Sequence, residues 1–285
     1  MRIGKIAVAI IGLVPFNVYG ECTPTPDCVS IGYTETSCEG DSLKCPFDTS
    51  MMKCIPCDSS YRYNCSGKNI IGGTGSACGG KYASCECSST DYVFSNGSCV
   101  CDTSCKVGAI YYSDGTCSAC VVSGKTAIGI VVKDNELVMS NRTGSIQWGG
   151  RGTDISTLAN LTTVDAAKAD FNGKENTAKI VAHFGEDVDT SLHAGVFCHK
   201  YTTEGTNAGD WYLPAAGEFY SYVYGNWSSK LSATATKLGW DIAYYFWSSS
   251  KYDSYNAWYV GSYSDGVDYT SKSRTYSVSC FLAIN

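Results

Sequence analysis

The sequence predicts an α+β protein in which a disulfide-rich, loop-dominated region precedes a domain of short helices and a small antiparallel sheet. All but two of the 17 cysteines lie before residue 121, so the two parts of the chain must be stabilised differently. In the second part, apolar residues at helical spacing follow Pro214. From Tyr244 onward the pattern changes to short runs of Tyr, Trp, Ser and Val, which are typical of strands. Helical segments followed by grouped strands indicate an α+β fold.

Residues 1–20 have the pattern of a secretory signal peptide. Arg2 and Lys5 precede an apolar run from Ile6 to Val18, and cleavage is predicted before Glu21. The run is too short to favour a membrane-spanning helix. The alternative to a cleaved signal peptide is an uncleaved anchor, and membrane association is expected only in that case. We therefore expect a protein that is secreted or displayed at the cell surface.

The region from residue 21 to 120 has few aliphatic residues and many Gly, Ser and Thr, so disulfides must supply the stability that apolar burial cannot. A weak repeat lies within it. Residues 92–99 and 111–117 each resemble a strand that enters an Asn-Gly or Asp-Gly turn and leaves at a cysteine. This unit is typical of small disulfide-bonded modules.

Two Cys-x-x-Cys pairs, Cys54/Cys57 and Cys117/Cys120, have the spacing of zinc ligands. Disulfides are the favoured interpretation because thiols oxidise in exported chains, and redox catalysis is a third reading. If the two cysteines beyond residue 120 pair with each other, the first region keeps an odd number. One thiol is then free or links two chains.

The composition argues against several classes of function. The formal net charge is −6 and there is no basic cluster, so nucleic acid is not an expected partner. The three histidines form no His-Glu-x-x-His motif, and we predict no metal and no cofactor. Glu218 is the most prominent carboxylate, but no second acid stands at a defined spacing from it, so no catalytic residue is assigned.

The domain predicted from residue 121 to 285 begins with a β-hairpin, and a glycine-rich loop around a buried tryptophan follows. Three short helices come next, and then a helix that has Pro214 in its first turn and an apolar face with Phe219 and Val223. The sheet comes last. The segments are 127–132 with 136–139 for the hairpin, 147–152 for the loop, and 163–170, 176–184 and 191–201 for the first helices.

The order of four motifs in this domain resembles the Lcl C-terminal-like and major paralogous domain families of bacterial surface proteins. The motifs are Asp-Trp-Tyr-Leu-Pro from Asp210 with Glu218, Trp-Ser-Ser-Ser from Trp247, Asn-Ala-Trp from Asn256, and Val-Ser-Cys ending at Cys280. The resemblance runs from about Thr126 to the end of the chain. Ser279 stands where those families commonly have Arg.

The resemblance implies a C-type lectin-like fold, shared with formylglycine-generating enzymes and with the variable proteins of diversity-generating retroelements. Those enzymes use thiols near their C-terminus, whereas one disulfide between Cys198 and Cys280 better explains the two cysteines here. An extracellular enzyme related to that group is the alternative. The residues that the resemblance makes structural are Trp211, Pro214, Glu218, Trp247 and Trp258.

The region after Tyr245 is rich in Tyr, Ser, Gly and Asp, the residues that binding loops use, although tyrosines alternating with serines also suit a half-exposed sheet. In the retroelement proteins such residues are products of diversification at ligand-facing positions. The resemblance therefore favours an adhesin-like surface for an extracellular protein or glycan, while a binder acting through the cysteine-rich region is another alternative. The candidate ligand-binding residues are Tyr252, Asp253, Tyr255, Tyr259, Tyr263, Asp268, Tyr269 and Tyr276.

Overall fold

The computed structural model describes residues 85–87, 89–95, 98–226, 230–241, 245–261 and 266–284, together with short strands before residue 85. The predicted signal peptide, Cys57 and Tyr263 lie outside the described residues. Contacts between Cα atoms divide the chain into a first unit, residues 1–102, and a second unit, residues 103–285. Among the helices that the structure describes, none has both the length and the hydropathy needed to cross a membrane.

The described residues of the first unit form short paired strands, apart from a turn before β8. β1 pairs antiparallel with β2 and parallel with β3, and the remaining six strands form three antiparallel pairs. The hairpin predicted over residues 92–99 is confirmed, and a disulfide joins Cys87 to Cys99 of its second strand. The strands are β1 (Glu21–Pro24), β2 (Thr36–Ser37), β3 (Leu43–Cys45), β4 (Phe47–Asp48), β5 (Lys53–Cys54), β6 (Ile70–Gly72), β7 (Cys85–Cys87), β8 (Tyr92–Ser95) and β9 (Ser98–Cys101).

The second unit contains two sheets. In the described residues the strand order is β11-β10-β12-β13-β20-β15 in the six-stranded sheet and β14-β19-β16-β17-β18 in the five-stranded sheet. All pairs are antiparallel except β16 with β19. The strands are β10 (Ile110–Tyr112), β11 (Cys117–Ser118), β12 (Ala127–Lys133), β13 (Leu137–Met139), β14 (Thr143–Gln147), β15 (Trp211–Tyr212), β16 (Tyr245–Lys251), β17 (Asn256–Gly261), β18 (Val267–Ser271), β19 (Thr275–Val278) and β20 (Phe281–Ala283).

The hairpin of β10 and β11 packs with the second unit because β10 pairs with β12. The second unit therefore starts at Thr103, earlier than the predicted boundary at residue 121. A disulfide joins Cys105 to Cys117, and Cys120 is also disulfide-bonded. At this Cys-x-x-Cys pair the disulfide interpretation is confirmed and the zinc interpretation is wrong.

Five α-helices and two 3₁₀-helices are described in the second unit. The first hairpin and the helices predicted over 163–170 and 176–184 are confirmed with small shifts at their ends. The helix predicted over 191–201 is divided at His193, which is extended, into a 3₁₀-helix and an α-helix. The placement of Pro214 is corrected. It lies two residues before the helix that it was predicted to begin, and its carbonyl accepts a 2.8 Å hydrogen bond from the Ser249 N–H. The helices are α1 (Val164–Lys168), α2 (Gly173–Phe184), α3 (Ala194–Lys200), α4 (Ala216–Tyr222) and α5 (Ser232–Leu238), and the 3₁₀-helices are Thr190–Leu192 and Tyr224–Asn226.

One face of the six-stranded sheet packs against α2 and α3. Val131, Val138 and Leu282 are in register across β12, β13 and β20, so their side chains share a face. They belong to one apolar cluster with Ile180 of α2 and Val196 of α3.

The opposite face packs against α4 and α5. Ile130, Met139 and Phe281 are the next residues along the same three strands and point the other way. They cluster with Phe219 of α4 and Ala235 of α5. The sheet is therefore covered on both faces, which makes the second unit an α+β domain with its own core.

The predicted disulfide between Cys198 and Cys280 is present, and neither residue is exposed to solvent. It joins α3 to the residue directly before β20. Because both sulfur atoms are bonded, neither is available as a thiol for catalysis.

Candidate ligand-binding surface

Buried tryptophans lie on both faces of the five-stranded sheet. The indole N–H of Trp247 donates to the Ile146 carbonyl at 2.9 Å, and that of Trp258 donates to the Leu161 carbonyl at 2.8 Å. Trp148, in the predicted glycine-rich loop, is also buried, as predicted for that loop. The indoles of Trp247 and Trp258 thus fill volume, and each binds a neighbouring segment through its one donor, which is β14 for Trp247 and the segment before α1 for Trp258.

The Trp-Ser-Ser-Ser motif is entirely buried and joins β16 to its neighbours. The Ser248 hydroxyl donates to the Trp258 carbonyl at 2.8 Å. The Ser250 hydroxyl donates to Asp170 and accepts from the Ala216 N–H at 2.9 Å. These hydroxyls bind protein atoms, so the motif is part of the scaffold.

Glu218 is also part of the scaffold. Its carboxylate accepts hydrogen bonds from the Ala215 N–H at 2.8 Å and from the Tyr212 hydroxyl at 3.1 Å, which fixes the first turn of α4. Burial raises the pKa of Glu218 to about 7, although these donors oppose the shift. The nearby Asp170 adds to the increase.

The candidate binding residues do not share one face of the five-stranded sheet. Tyr259 of β17 is in register with Asp268 of β18, whereas Tyr269 is in register with Trp258. Because neighbouring residues of a strand point to opposite faces, Tyr259 and Tyr269 lie on different sides of the sheet.

On the first side, the aromatic rings mainly pack against one another. The ring centres of Tyr259 and Tyr276 are 4.8 Å apart, and that of Trp247 is 4.9 Å from Tyr276. The Tyr259 hydroxyl donates to Asp268 at 3.1 Å, and burial raises the pKa of Tyr259 well above its usual value. These half-buried rings support the sheet and present little open aromatic area.

On the second side, Tyr252 and Tyr269 stack with their ring centres 3.9 Å apart and their planes at 11°. Trp258 contacts both rings edge-on from the buried side. Tyr269 retains 43% exposure, so the pair combines a fixed position with an open face.

Tyr255 is the most exposed of the candidate tyrosines that the structure describes, at 51%. The guanidinium of Arg151 lies 5.3 Å from the centre of its ring, and Nε of Arg151 donates to the Ser271 hydroxyl at 3.1 Å. Ser271 lies two residues after Tyr269 on β18 and therefore on the same face. We call the set Tyr252, Tyr255, Tyr269, Arg151 and Ser271 the tyrosine surface.

Asp253 shapes the turn that carries Tyr255. Its Oδ1 accepts from the N–H groups of Tyr255 at 2.7 Å and Asn256 at 2.6 Å. Burial disfavours the charge on Asp253, but these donors outweigh it and hold the pKa of the carboxyl below its usual value. Its role in the structure is to fix the turn.

Two residues of this region were missed by the sequence analysis. Arg151 lies in the glycine-rich loop, more than 100 residues before the tyrosines, and only the fold brings it to Tyr255. Lys272 is fully buried, although lysines are rarely buried, and no sequence pattern indicated it. The proximity of the loop to the sheet was the missing information.

Two clefts of the second unit contain no residue of the tyrosine surface. One, of about 440 Å³, is lined by residues that include Tyr111, Lys174 and Asp210. The other, of about 240 Å³, is lined by residues that include Asp170 and Lys251. In the part of the chain that the structure describes, no three His, Cys, Asp or Glu side chains are grouped as metal ligands would be.

No protein-family model matches the chain, and a search of curated proteins finds no match. Among solved structures, the chain is similar to a fimbrial protein from Bacteroides ovatus, with 18% sequence identity and a TM-score of 0.48. The alignment covers 63% of this chain and 49% of that protein, so the chain spans about half of that protein's length.

Proposed function

We propose that the protein is an exported, non-catalytic binding protein that captures an extracellular protein or glycan through the tyrosine surface. The observation that carries this proposal is that Tyr255 and Tyr269 are 51% and 43% exposed while their rings are held by Arg151 and by the buried Trp258, respectively. Tyrosine offers a large contact area and loses little rotamer entropy on binding, so fixed exposed tyrosines suit recognition. The disulfides of both units suit an oxidising, extracellular location.

The same proposal includes a C-type lectin-like fold for the second unit and display at the cell surface. Two observations support the fold assignment. Short helices precede a small sheet, and a disulfide joins α3 to Cys280, directly before the last strand.

Binding by the full-length, oxidised protein to an array of immobilised glycans and extracellular-matrix proteins tests the proposal. Replacing Tyr252, Tyr255 and Tyr269 by Ala is expected to abolish the wild-type signals and leave thermal unfolding nearly unchanged. Tyr224→Ala is the matched control. Tyr224 is 37% exposed, and its ring stacks on Tyr220. It lies beside Gly266, at the end of β18 that is opposite Ser271, so its loss should leave the array signals intact.

Wild-type signals that persist in the triple variant would contradict the proposal. Binding assays on each unit expressed alone would then show whether the cysteine-rich region binds instead. Turnover of a substrate by the wild-type protein, with the Cys198–Cys280 disulfide intact, would favour the alternative of an extracellular enzyme.

The proposal also includes diversification of the exposed tyrosine positions by a retroelement. Seven positions are framework by the resemblance, and all of them are buried except Asn256, which is half-buried. They are Trp247, Ser248, Ser249, Asn256, Ala257, Trp258 and Cys280. The exposed tyrosines lie between them in sequence. A reverse transcriptase gene beside this gene, with a near-copy of the final coding stretch that differs at adenines, would support diversification, and its absence would remove this part.

A further inference from the structure

Lys272 lies beneath the tyrosine surface and connects the two loops that carry its most exposed groups. Its Nζ donates to the carbonyls of Ser254 at 3.1 Å and Thr153 at 3.4 Å. The same ammonium lies 4.6 Å from the centre of the Trp148 ring. One buried cation therefore fixes the Arg151 loop relative to the Tyr255 turn.

Arg151 is held in position but still has donors to offer. Its Nε is bonded to Ser271, and its guanidinium lies over Tyr255. Within the described part of the chain, no carboxylate pairs with Arg151 and no acceptor contacts its two terminal nitrogens. A planar guanidinium whose two terminal NH₂ groups have no acceptor among the described residues suits the two oxygens of a carboxylate.

We propose that the tyrosine surface binds a carboxylated saccharide, such as a uronic-acid polymer, with the carboxylate on Arg151 and sugar rings on Tyr255 and Tyr269. The proposal rests on the proposed function and names its ligand class. The C–H faces of a sugar ring are apolar and pack on flat aromatic rings, while its hydroxyls can bond to the hydroxyls of Ser271 and of the surface tyrosines.

A saccharide fits this surface better than an acidic peptide does. Peptides are usually recognised by pairing with a strand edge or by inserting side chains into apolar pockets. The tyrosine surface instead presents ring faces, hydroxyls and one guanidinium, and Tyr269 and Ser271 are spaced by roughly 7 Å along an extended strand. A polymer of sugar rings that each carry a carboxylate matches that arrangement, because the rings can pack on the tyrosines and a carboxylate can bind Arg151.

The test uses the full-length protein on immobilised polygalacturonate, with carboxyl-reduced polygalacturonate as the neutral match and poly-L-glutamate as an acidic competitor. We expect retention on polygalacturonate only, and little competition by poly-L-glutamate. Arg151→Gln should weaken retention roughly tenfold or more, the effect of losing a hydrogen-bonded ion pair of about 1.5–3 kcal/mol. Arg151→Lys should restore little of it, because an ammonium cannot form the two parallel bonds.

Lys125→Gln is the control for loss of one exposed positive charge. Lys125 pairs with Asp114 and bonds to Thr116, beside the six-stranded sheet rather than at the tyrosine surface, so this variant should bind as the wild type does. Equal retention of the wild type and Arg151→Gln, or full competition by poly-L-glutamate, would overturn the carboxylated-saccharide proposal. So would a lack of wild-type retention on polygalacturonate. A further outcome is that the wild type is also retained on the neutral polymer, with this retention lost in the triple tyrosine variant. That result would overturn the role of the carboxylate alone and leave the proposed function standing.

Discussion

The hydroxyl of Ser250 donates a 2.6 Å hydrogen bond to Oδ2 of Asp170, and it also accepts from the first N–H of α4. Oδ2 of Asp170 accepts a second bond, from the Asn176 side chain at 2.9 Å. One hydroxyl of β16 therefore connects the sheet to α4 and to the segment that leads into α2. All three side chains are buried, so each lost bond would leave a polar group without water.

We predict that Ser250→Ala destabilises the second unit by about 2 kcal/mol, because it leaves the Ala216 N–H without an acceptor and Asp170 with one donor fewer. Urea unfolding followed by tryptophan fluorescence measures this loss. All six tryptophans lie beyond residue 147, so the signal reports on the second unit.

Ser249→Ala is the matched control, since Ser249 is equally buried but its hydroxyl has only a 3.5 Å contact with Asn176. Its cost should stay below about 1 kcal/mol, because a contact of that length is weak. Equal losses in the two variants would show that the Ser250 hydroxyl has no special role.

The disulfide between Cys198 and Cys280 should stabilise the second unit more than the disulfide between Cys105 and Cys117 does. It spans 82 residues, whereas the Cys105–Cys117 bond spans 12. Loop-closure entropy predicts that replacing both cysteines by Ala costs about 4–5 kcal/mol for the long loop and about 3 kcal/mol for the short one. The same urea unfolding gives both values, and a larger loss for the short loop would contradict the entropic argument.

Local sequence signals predicted most elements of the second unit. The hairpin of β12 and β13, the helices before residue 201 and the turn at Gly115 were all visible as periodicity or as turn residues, because these depend on neighbours in the chain. The place of β10 in the six-stranded sheet was not predicted, because its pairing with β12 depends on the tertiary fold.

The candidate site was predicted less completely, and strand register explains why. Composition indicated that the tyrosines belong to a sheet, but only the pairing of Tyr259 with Asp268 and of Trp258 with Tyr269 divides them between two faces. Arg151 reaches the surface through the fold, and Asp253 bonds to its own turn. A residue list from sequence therefore mixes exposed groups with supporting ones.

The stability of the second unit should fall as pH rises between about 4.5 and 7 because of Glu218. Burial raises the pKa of this carboxyl from 4.5 to about 7 in the folded state, so the folded state holds more protons than the unfolded state in that window. The sign follows directly: the contribution is fully present below pH 4.5 and is lost as pH rises through about 7. Its size is up to about 3 kcal/mol.

Glu218→Gln keeps the shape and an acceptor for the Ala215 N–H but cannot ionise. Urea unfolding of the wild type and this variant from pH 4.5 to 7.5 should therefore give curves that separate as pH rises, with the variant the less pH-dependent. Identical pH dependence would assign the titration to another group.

Replacing Lys272 by Met should loosen the tyrosine surface without unfolding the domain. Burial lowers the pKa of Lys272 to about 8, which shows that charging it inside the protein is costly, so an apolar side chain of similar length changes global stability little. The two loops, however, lose the ammonium that joins the Thr153 and Ser254 carbonyls.

Hydrogen exchange separates these two effects. The Gly152 amide, which donates to the Ser254 carbonyl at 2.9 Å, should exchange about tenfold faster in Lys272→Met, because the loss of one charged hydrogen bond is worth about 1.5 kcal/mol. The Val131 amide, bonded to the Ala109 carbonyl in the six-stranded sheet, should be unchanged. Faster exchange at both amides would mean that Lys272 stabilises the whole domain, and no change at Gly152 would mean that the loops are held by their backbone bonds. Only the selective acceleration fits a buried lysine whose role is to position Arg151 and Tyr255 for a ligand.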